Sequence, residues 1–79
     1  MTNPQEVLPR IQALVAEALE TPIDQIKPDL EFGSIPAWDS MGHMSIMMLL
    51  EEKFGVEIDA DKIASLTSLP AICAFVAKE

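Results

Sequence analysis

Hydrophobic residues recur at helical spacing in the first segment of the chain. They stand three and four positions apart, the spacing of one face of an α-helix, and they are Val7, Ile11, Leu14 and Ala18, joined by Leu8, Val15 and Leu19. Asn3, Pro4 and Glu6 ahead of them fit a helix cap, a first-turn proline and a capping-box acid. Pro9 would clash with the carbonyl group four residues earlier, so the helix either starts near Leu8 or is kinked, and we expect the later start.

A long connection follows the first helical pattern, because Pro22 ends that pattern and residues 20–39 hold further prolines and a glycine. Connections beyond about 12 to 15 residues are uncommon in small domains and tend to be functional or internally packed. This connection carries six large apolar residues: Ile23, Ile26, Leu30, Phe32, Ile35 and Trp38. We expect them to pin the connection across the helices as a structured crossover.

Cap and turn residues divide the remainder into three more helices. The second helix is predicted from Asp39 or Ser40 to Phe54, with Gly55 as its C-terminal cap. Asp59 is expected to cap a brief helix over residues 60–65. The last helix is predicted to be capped by Thr67 or Ser68 and to tolerate Pro70 in its first turn. It carries the apolar residues Leu69, Ile72, Phe75 and Val76.

The pattern therefore predicts an all-α protein, a four-helix bundle of three long helices and one short one with a long first crossover. Alternating apolar and polar residues and hairpin dipeptides, which would indicate strands, are missing from the sequence. With 79 residues, the chain is expected to form a single domain, 1–79.

The second helix has apolar residues on two sides. At about 100° per residue, one stripe is suited to the core and consists of His43, Ile46, Met47, Leu50 and Phe54. Met41, Met44 and Met48 fall on the opposite side, flanked by Ser45, Glu51 and Glu52. Flexible methionines rimmed by acids suit a surface that meets several partners in turn. The alternative is that the crossover folds over this side and the methionines only fill the core.

Charge and composition narrow the classes of function. Thirteen acidic against five basic residues give a net charge of −8, the wrong sign for binding nucleic acid through its phosphates. An acidic surface would speed encounter with proteins that carry basic patches. The first residues lack a signal-peptide profile and no apolar run is long enough to span a membrane, so we expect a cytoplasmic protein. Cys73 is the only cysteine and is interpreted as a small buried residue, with no metal site expected.

Ser40 stands at the predicted start of the second helix. A plain N-cap role for Ser40 or Asp39 is one interpretation. The other is that Ser40 carries a phosphate-linked group, which the amide donors and positive dipole end of a helix would favour. Catalysis by Ser40 is not expected, because it needs a base within reach and the only histidine, His43, falls on the core stripe. The chain also lacks a Gly-x-Ser-x-Gly elbow.

Asp39-Ser40-Met41, followed by the helix that ends in MMLLEEKFGVEID, resembles the acyl carrier protein family. The family motif is usually Asp-Ser-Leu ahead of an apolar helix ending in a Glu-Glu-x-Phe-Gly type of sequence, and the closing IASLTSLPAICAFV is similar as well. The resemblance covers essentially the whole chain. Met41 replaces the usual leucine, a volume-conserving change, and Gly42 and Ser45 stand where many members carry acids. Trp38 before the motif is similar to a subset of discrete carriers, including D-alanyl and secondary-metabolite types.

The resemblance implies that Ser40 receives 4'-phosphopantetheine from coenzyme A through a phosphopantetheinyl transferase. The thiol of that arm would carry an acyl group as a thioester between enzymes of fatty acid, polyketide or related biosynthesis, of ligase, ketosynthase or acyltransferase type. The protein would then be a monomeric carrier and not an enzyme. The partner-recognition residues would be Asp39, Met41, Met44, Met48, Glu51 and Glu52. Two alternatives stay open at this point: a carrier of aminoacyl, D-alanyl or peptidyl groups, and a helical interaction module that carries nothing.

Overall fold

Four helices joined by one long crossover make up the computed structural model, which describes residues 3–78 and, of Pro4 and Lys78, the backbone alone. The helices are α1 (Pro4–Leu19), α2 (Ser40–Phe54), α3 (Ala60–Ser65) and α4 (Leu69–Lys78), with a 3-10 turn at Ile23–Gln25 between α1 and α2. In the described range the only β-type pairing is an isolated antiparallel bridge between Glu31 and Ser68. The predicted all-α fold, with three long helices and one short one, is confirmed.

The predicted start of α1 near Leu8 is wrong. The helix begins at Pro4, and the Asn3 side chain caps it by accepting a hydrogen bond from the Glu6 amide at 2.9 Å. Pro9 lies inside the helix and faces solvent. A proline there removes one helical hydrogen bond, but Val7 on the other side of the helix is buried in the core. The cap and this burial hold the first turn in place.

The core lies between α1 and its two long neighbours, α2 and α4, which both pack against it. Most of its members come from these three helices: Val7, Ile11, Leu14, Val15 and Leu19 of α1, Ile46, Met47 and Leu50 of α2, and Leu69, Ile72, Cys73 and Val76 of α4. The segments between the helices add Ile26, Leu30, Trp38, Val56 and Leu66. Cys73 is buried as predicted, and burial raises the pKa of its thiol.

The crossover is structured, as predicted, and hydrogen bonds join its middle part to α1 and to the start of α4. Gln12 of α1 donates from Nε2 to the Ile26 carbonyl at 2.7 Å. Beyond the 3-10 turn, the Phe32 amide donates to the Thr67 carbonyl at 2.8 Å, and the Leu69 amide donates to the Leu30 carbonyl at 2.9 Å. These bonds tie the middle of the chain to the start of α4.

Three of the six predicted crossover anchors are buried: Ile26, Leu30 and Trp38. Ile35 is partly buried against the core. The prediction is wrong for Ile23 and Phe32, which are 55% and 43% exposed. Ile23 lies on the short 3-10 turn, which buries none of its residues. The Phe32 ring stands edge-on to the His43 ring, with 5.6 Å between the centroids, and keeps its other side open to solvent.

The bounds of the later helices agree with their cap residues. Asp39 caps α2, and Gly55 ends it in the left-handed conformation with φ of 68°. Asp59 caps α3 by accepting from the Lys62 amide. Of the two predicted caps for α4, Ser68 does so, since its hydroxyl accepts from the Ala71 amide at 3.2 Å.

Candidate functional site

Ser40 is the first residue of α2, and its side chain is exposed. The carboxylate of Asp39 accepts a hydrogen bond from the Gly42 amide at 2.9 Å, and the Asp39 carbonyl accepts from the His43 amide at 2.8 Å. The amides of Ser40 and Met41 lie in the first turn, where no carbonyl of the helix can reach them. The serine hydroxyl is therefore presented outward at the positive end of the helix dipole.

His43 packs on the inner side of the same turn and does not serve Ser40. Its Nδ1 lies 3.1 Å from Nε1 of the buried Trp38, and its Nε2 lies 2.7 Å from the Ile63 carbonyl oxygen. The indole N–H can only donate and the carbonyl can only accept, so the neutral ring with its proton on Nε2 satisfies both partners. With both nitrogens engaged, His43 is a packing residue, as the sequence predicted, and it is no base for Ser40.

Gly42 allows the crossover to pass close to α2 just beside Ser40. A Cβ atom at this position would lie 2.3 Å from the Ala37 carbonyl oxygen and 2.7 Å from Leu19 Cδ2. Both distances are too short for any side chain. Sequence reasoning noted Gly42 only as a departure from the family that the chain resembles, and it missed this packing reason.

The two apolar stripes of α2 are both real, and only one of them is buried. His43, Ile46, Met47 and Leu50 face the core, and Phe54 is partly buried. Met41, Met44 and Met48 are 81%, 44% and 64% exposed. The crossover does not cover them, so the alternative in which these methionines fill the core is wrong. The methionine face, as we call these three residues, begins directly beside Ser40.

Acidic residues flank the methionine face without lying within it. Asp39 is exposed at the end of the face next to Ser40, and Glu51 and Glu52 are exposed in the last turn of α2. Ser45 is half-buried and donates back to the Met41 carbonyl at 3.2 Å. The first ten residues of α2 thus carry no carboxylate of their own.

An open groove of about 250 Å³ lies at the other end of α2, between that end and α1. Arg10 reaches over the Phe54 ring at 4.8 Å from its centroid, and Lys53 pairs with Glu17 at 3.5 Å. The charged groups of the groove are thus matched with neighbours in the protein itself.

Among residues 3–78, no three side chains of metal-ligating type come together. None of the helices described there has the length and apolar character needed to cross a membrane.

Comparison with known proteins assigns this arrangement to a family. A family model described as "Phosphopantetheine attachment site" matches residues 9–76, a range that includes the first turn of α2. An acyl carrier protein of Thermosynechococcus vestitus is 30% identical over 74 residues, which is 94% of this chain and 91% of that protein. The chain belongs to the acyl carrier protein family. It is also similar to acyl carrier protein 3 of Ralstonia nicotianae (30% identity, 96% of this chain, 86% of that protein) and to the acyl carrier protein of Helicobacter pylori strain G27 (33%, 84% and 85%).

Family membership brings a covalently bound 4'-phosphopantetheine group to this acyl carrier protein. The first turn of α2 fits such a group, because it offers an exposed hydroxyl next to amides that the helix leaves unpaired. A carrier domain also implies a phosphopantetheinyl transferase and acyl-handling enzymes as partners. The alternative of an interaction module that carries nothing does not account for membership in an attachment-site family.

Proposed function

We propose that Ser40 is the attachment residue and that this acyl carrier protein moves acyl intermediates as thioesters between enzymes of fatty acid, polyketide or related secondary-metabolite biosynthesis. The observation that carries the proposal is the exposed Ser40 hydroxyl at the mouth of α2, inside the range that matches the attachment-site family. We further propose that residues 1–79 act as one domain. A cytoplasmic location and a monomeric state stay predictions.

The contacts of the residues around Ser40 indicate which functions belong to the carrier and which must come from the transferase. The phosphopantetheine arm, when bound, supplies a thiol for the thioester. Asp39 holds the first turn by capping Gly42, and His43 is bonded to Trp38 and Ile63. A base for activating the Ser40 hydroxyl must therefore come from the transferase, and the protein acts as a carrier and not as a catalyst.

Mass spectrometry tests the attachment residue directly. After incubation with coenzyme A, Mg²⁺ and a promiscuous phosphopantetheinyl transferase, the intact protein should gain the mass of one phosphopantetheine. Ser40→Ala should gain none. Ser65→Ala is the matched control, because Ser65 is also an exposed serine on a helix, at the end of α3, and it should be modified at the wild-type rate. Modification of a folded Ser40→Ala protein would refute the assignment.

The nature of the cargo calls for a separate measurement. Intact-mass analysis of the protein purified from its native host should show an acyl group on the arm. An amino acid or peptide on the arm instead would support an aminoacyl, D-alanyl or peptidyl carrier and would contradict the acyl proposal.

We assign partner docking to the methionine face and its acidic rim. Exposed methionines adapt to differently shaped apolar surfaces, and Met41 is the residue next to the attachment serine. Asp39, Glu51 and Glu52 are solvent-exposed, so they should attract basic partner surfaces and affect the rate of association more than the final affinity. A carrier that must be released after each reaction is well served by a small apolar patch with weak steering.

Two sets of variants separate these contributions in a transferase assay. Replacing Met41, Met44 and Met48 by glutamine should raise the KM of the carrier at every salt concentration. Replacing Glu51 and Glu52 by glutamine should lower kcat/KM at low salt and have little effect at high salt, where charge steering is screened. Because all five side chains are exposed, unfolding curves should stay close to wild type. Wild-type kinetics in the methionine variant would refute the docking assignment.

A further inference from the structure

Ser40 is exposed, so the residues on either side of it must hold its hydroxyl in place. The proposed transfer needs that hydroxyl oxygen in a definite position. The oxygen forms a bond to the phosphorus of coenzyme A next to the pantetheine, the bond from that phosphorus to the bridging oxygen breaks, and adenosine 3',5'-bisphosphate leaves. The hydroxyl proton goes to a base of the transferase. A misplacement of about 1 Å can lower such a rate by about a hundredfold.

Three hydrogen bonds cross Ser40, from residues before it to residues after it. The Asp39 carboxylate accepts from the Gly42 amide at 2.9 Å, and the Asp39 carbonyl accepts from the His43 amide at 2.8 Å. The third bond joins two side chains, since Trp38 donates from Nε1 to Nδ1 of His43 at 3.1 Å. We call the segment from Trp38 to His43 the Ser40 turn.

The bond between the indole and the imidazole is shielded from water, unlike the cap bond of Asp39. Trp38 is 0% exposed and His43 is 5% exposed, whereas the bond from Gly42 to the Asp39 carboxylate lies at the surface. Breaking a buried hydrogen bond leaves its donor and its acceptor unpaired, which costs more than losing a bond that water can replace. The indole bond therefore keeps the turn closed when water competes for the cap.

Each end of the Ser40 turn is held by a different part of the protein. The Trp38 amide donates to the Ile35 carbonyl, and the Trp38 carbonyl accepts from the Gly33 amide, both at 3.1 Å. At the other end, His43 donates from Nε2 to the Ile63 carbonyl of α3 at 2.7 Å. The turn is thus ordered before a partner arrives, so the loss of entropy on ordering it does not oppose the reaction.

We propose that Trp38 and His43 are positioning residues for the modification of Ser40. Their buried hydrogen bond holds the Ser40 turn in the form that presents the serine hydroxyl to the phosphopantetheinyl transferase. The inference rests on the proposed attachment at Ser40. It assigns a part in that reaction to two buried side chains, which act through the backbone of Ser40 and not by contact with the reacting atoms.

Two replacements of His43 separate its bond to Trp38 from its bond to α3. His43→Asn places an amide oxygen near the position of Nδ1, so the indole N–H keeps an acceptor. His43→Gln reaches the position of Nε2 and keeps a donor for the Ile63 carbonyl, but it leaves the indole N–H without its acceptor. Because both new side chains are uncharged amides, a difference between the two variants reports on the indole bond.

Steady-state kinetics with coenzyme A, Mg²⁺ and a promiscuous transferase measure the effect on the full-length protein, with the carrier concentration varied and the product followed by intact mass. His43→Gln should lower kcat about three- to tenfold, the rate equivalent of one typical hydrogen bond. The KM for the carrier should stay within about twofold of wild type, because the methionine face is unchanged. His43→Asn should recover most of the lost kcat.

Leu14→Ala is the control for a simple loss of stability. Leu14 is buried in α1 and lines the groove beside Phe54, at the end of α2 that lies about 20 Å from Ser40 at 1.5 Å per residue. Removing its side chain should destabilise the fold at least as much as His43→Gln does, yet kcat should stay at the wild-type value wherever urea unfolding shows the protein to be folded in the assay. Should Leu14→Ala not fold, Leu14→Val takes its place.

Equal kcat values for His43→Asn and His43→Gln, or a kcat that falls in the Leu14 control as it does in His43→Gln, would overturn the proposal. Trp38→Phe tests the same bond from its other side if His43→Gln does not fold. It removes the indole N–H and keeps an aromatic ring, so it should lower kcat as well, and a wild-type kcat would overturn the proposal. A failure of the attachment at Ser40 is recognised separately, because wild type itself would then gain no mass.

Discussion

Replacing Gly42 by alanine should destabilise the protein, although alanine is the better helix former. The added Cβ would lie 2.3 Å from the Ala37 carbonyl oxygen and 2.7 Å from Leu19 Cδ2. The leucine methyl can rotate away. The carbonyl oxygen belongs to the backbone, and it can move only if the crossover shifts together with the buried Trp38 that follows it.

The size of the effect follows from two opposing contributions. Glycine to alanine in a helix interior gains at most about 1 kcal/mol in helix propensity. Forcing a methyl group into a filled space costs about 1–3 kcal/mol, and the cost here should be near the upper end because the obstructing atom is backbone. We expect a net loss of about 1–2 kcal/mol, which for a chain of this size lowers Tm by roughly 5–15 °C.

Urea unfolding followed by circular dichroism measures this loss. Ser45→Ala is the matched control on the same helix, because it gives up only the hydrogen bond from Ser45 to the Met41 carbonyl, and it should stay within about 0.5 kcal/mol of wild type. A Gly42→Ala protein as stable as wild type, or more stable, would show that the crossover yields easily and that the close approach does not constrain position 42.

Three further predictions concern single side chains. Asp39→Ala should lower the free energy of unfolding in urea by about 1 kcal/mol, because α2 loses its cap. Asp39→Asn keeps an acceptor for the Gly42 amide and should unfold close to wild type. Equal losses of stability in the two variants would contradict the capping role. Burial raises the pKa of the Cys73 thiol, so a thiol reagent should label the apo protein only after unfolding, and rapid labelling of the native protein would contradict this. The pKa of Asp59 is lowered, first by the hydrogen bond from the Lys62 amide and also by the Lys62 side chain. A lowered carboxyl pKa stabilises the fold above the unfolded-state value, and this contribution is lost as pH falls through the folded-state value. Asp59→Asn should therefore lose less stability than wild type on acidification below about pH 4, and identical acid unfolding curves would refute the assignment.

The ends of α2 and α3 were predictable because local chemistry fixes them. Asp39 and Asp59 are good cap residues, and Gly55 takes up the left-handed conformation at the end of α2. The exposed methionine face was predictable from periodicity, since Met41, Met44 and Met48 repeat at helical spacing on the side away from the core. The same local signals place Ser40 at the mouth of a helix.

Sequence reasoning failed where distant contacts decide the structure. The prediction that α1 starts near Leu8 took account of the local cost of Pro9. It did not take account of the burial of Val7 in the core, which stabilises the first turn. The exposure of Phe32 depends on what the crossover meets around it, which no spacing reveals.

Two features beside the candidate site could not be predicted for the same reason. The bond from His43 to the Ile63 carbonyl joins residues 20 positions apart. The need for glycine at position 42 comes from the carbonyl of Ala37, whose path is set by the packing of the crossover. The hydrophobic pattern places His43 on the inner side of α2 but does not identify its partners.

The crossover that leads to Ser40 is hydrogen-bonded to the start of α4, so the exposed position of Ser40 depends on the far end of the chain. Because Phe32 bonds to Thr67 and Leu69 bonds to Leu30, a shortened protein without α4 would lose the support of the loop that leads to the serine. With attachment at Ser40, as proposed, the transferase reaction would also report on folding, because a variant that has lost this support should be modified poorly.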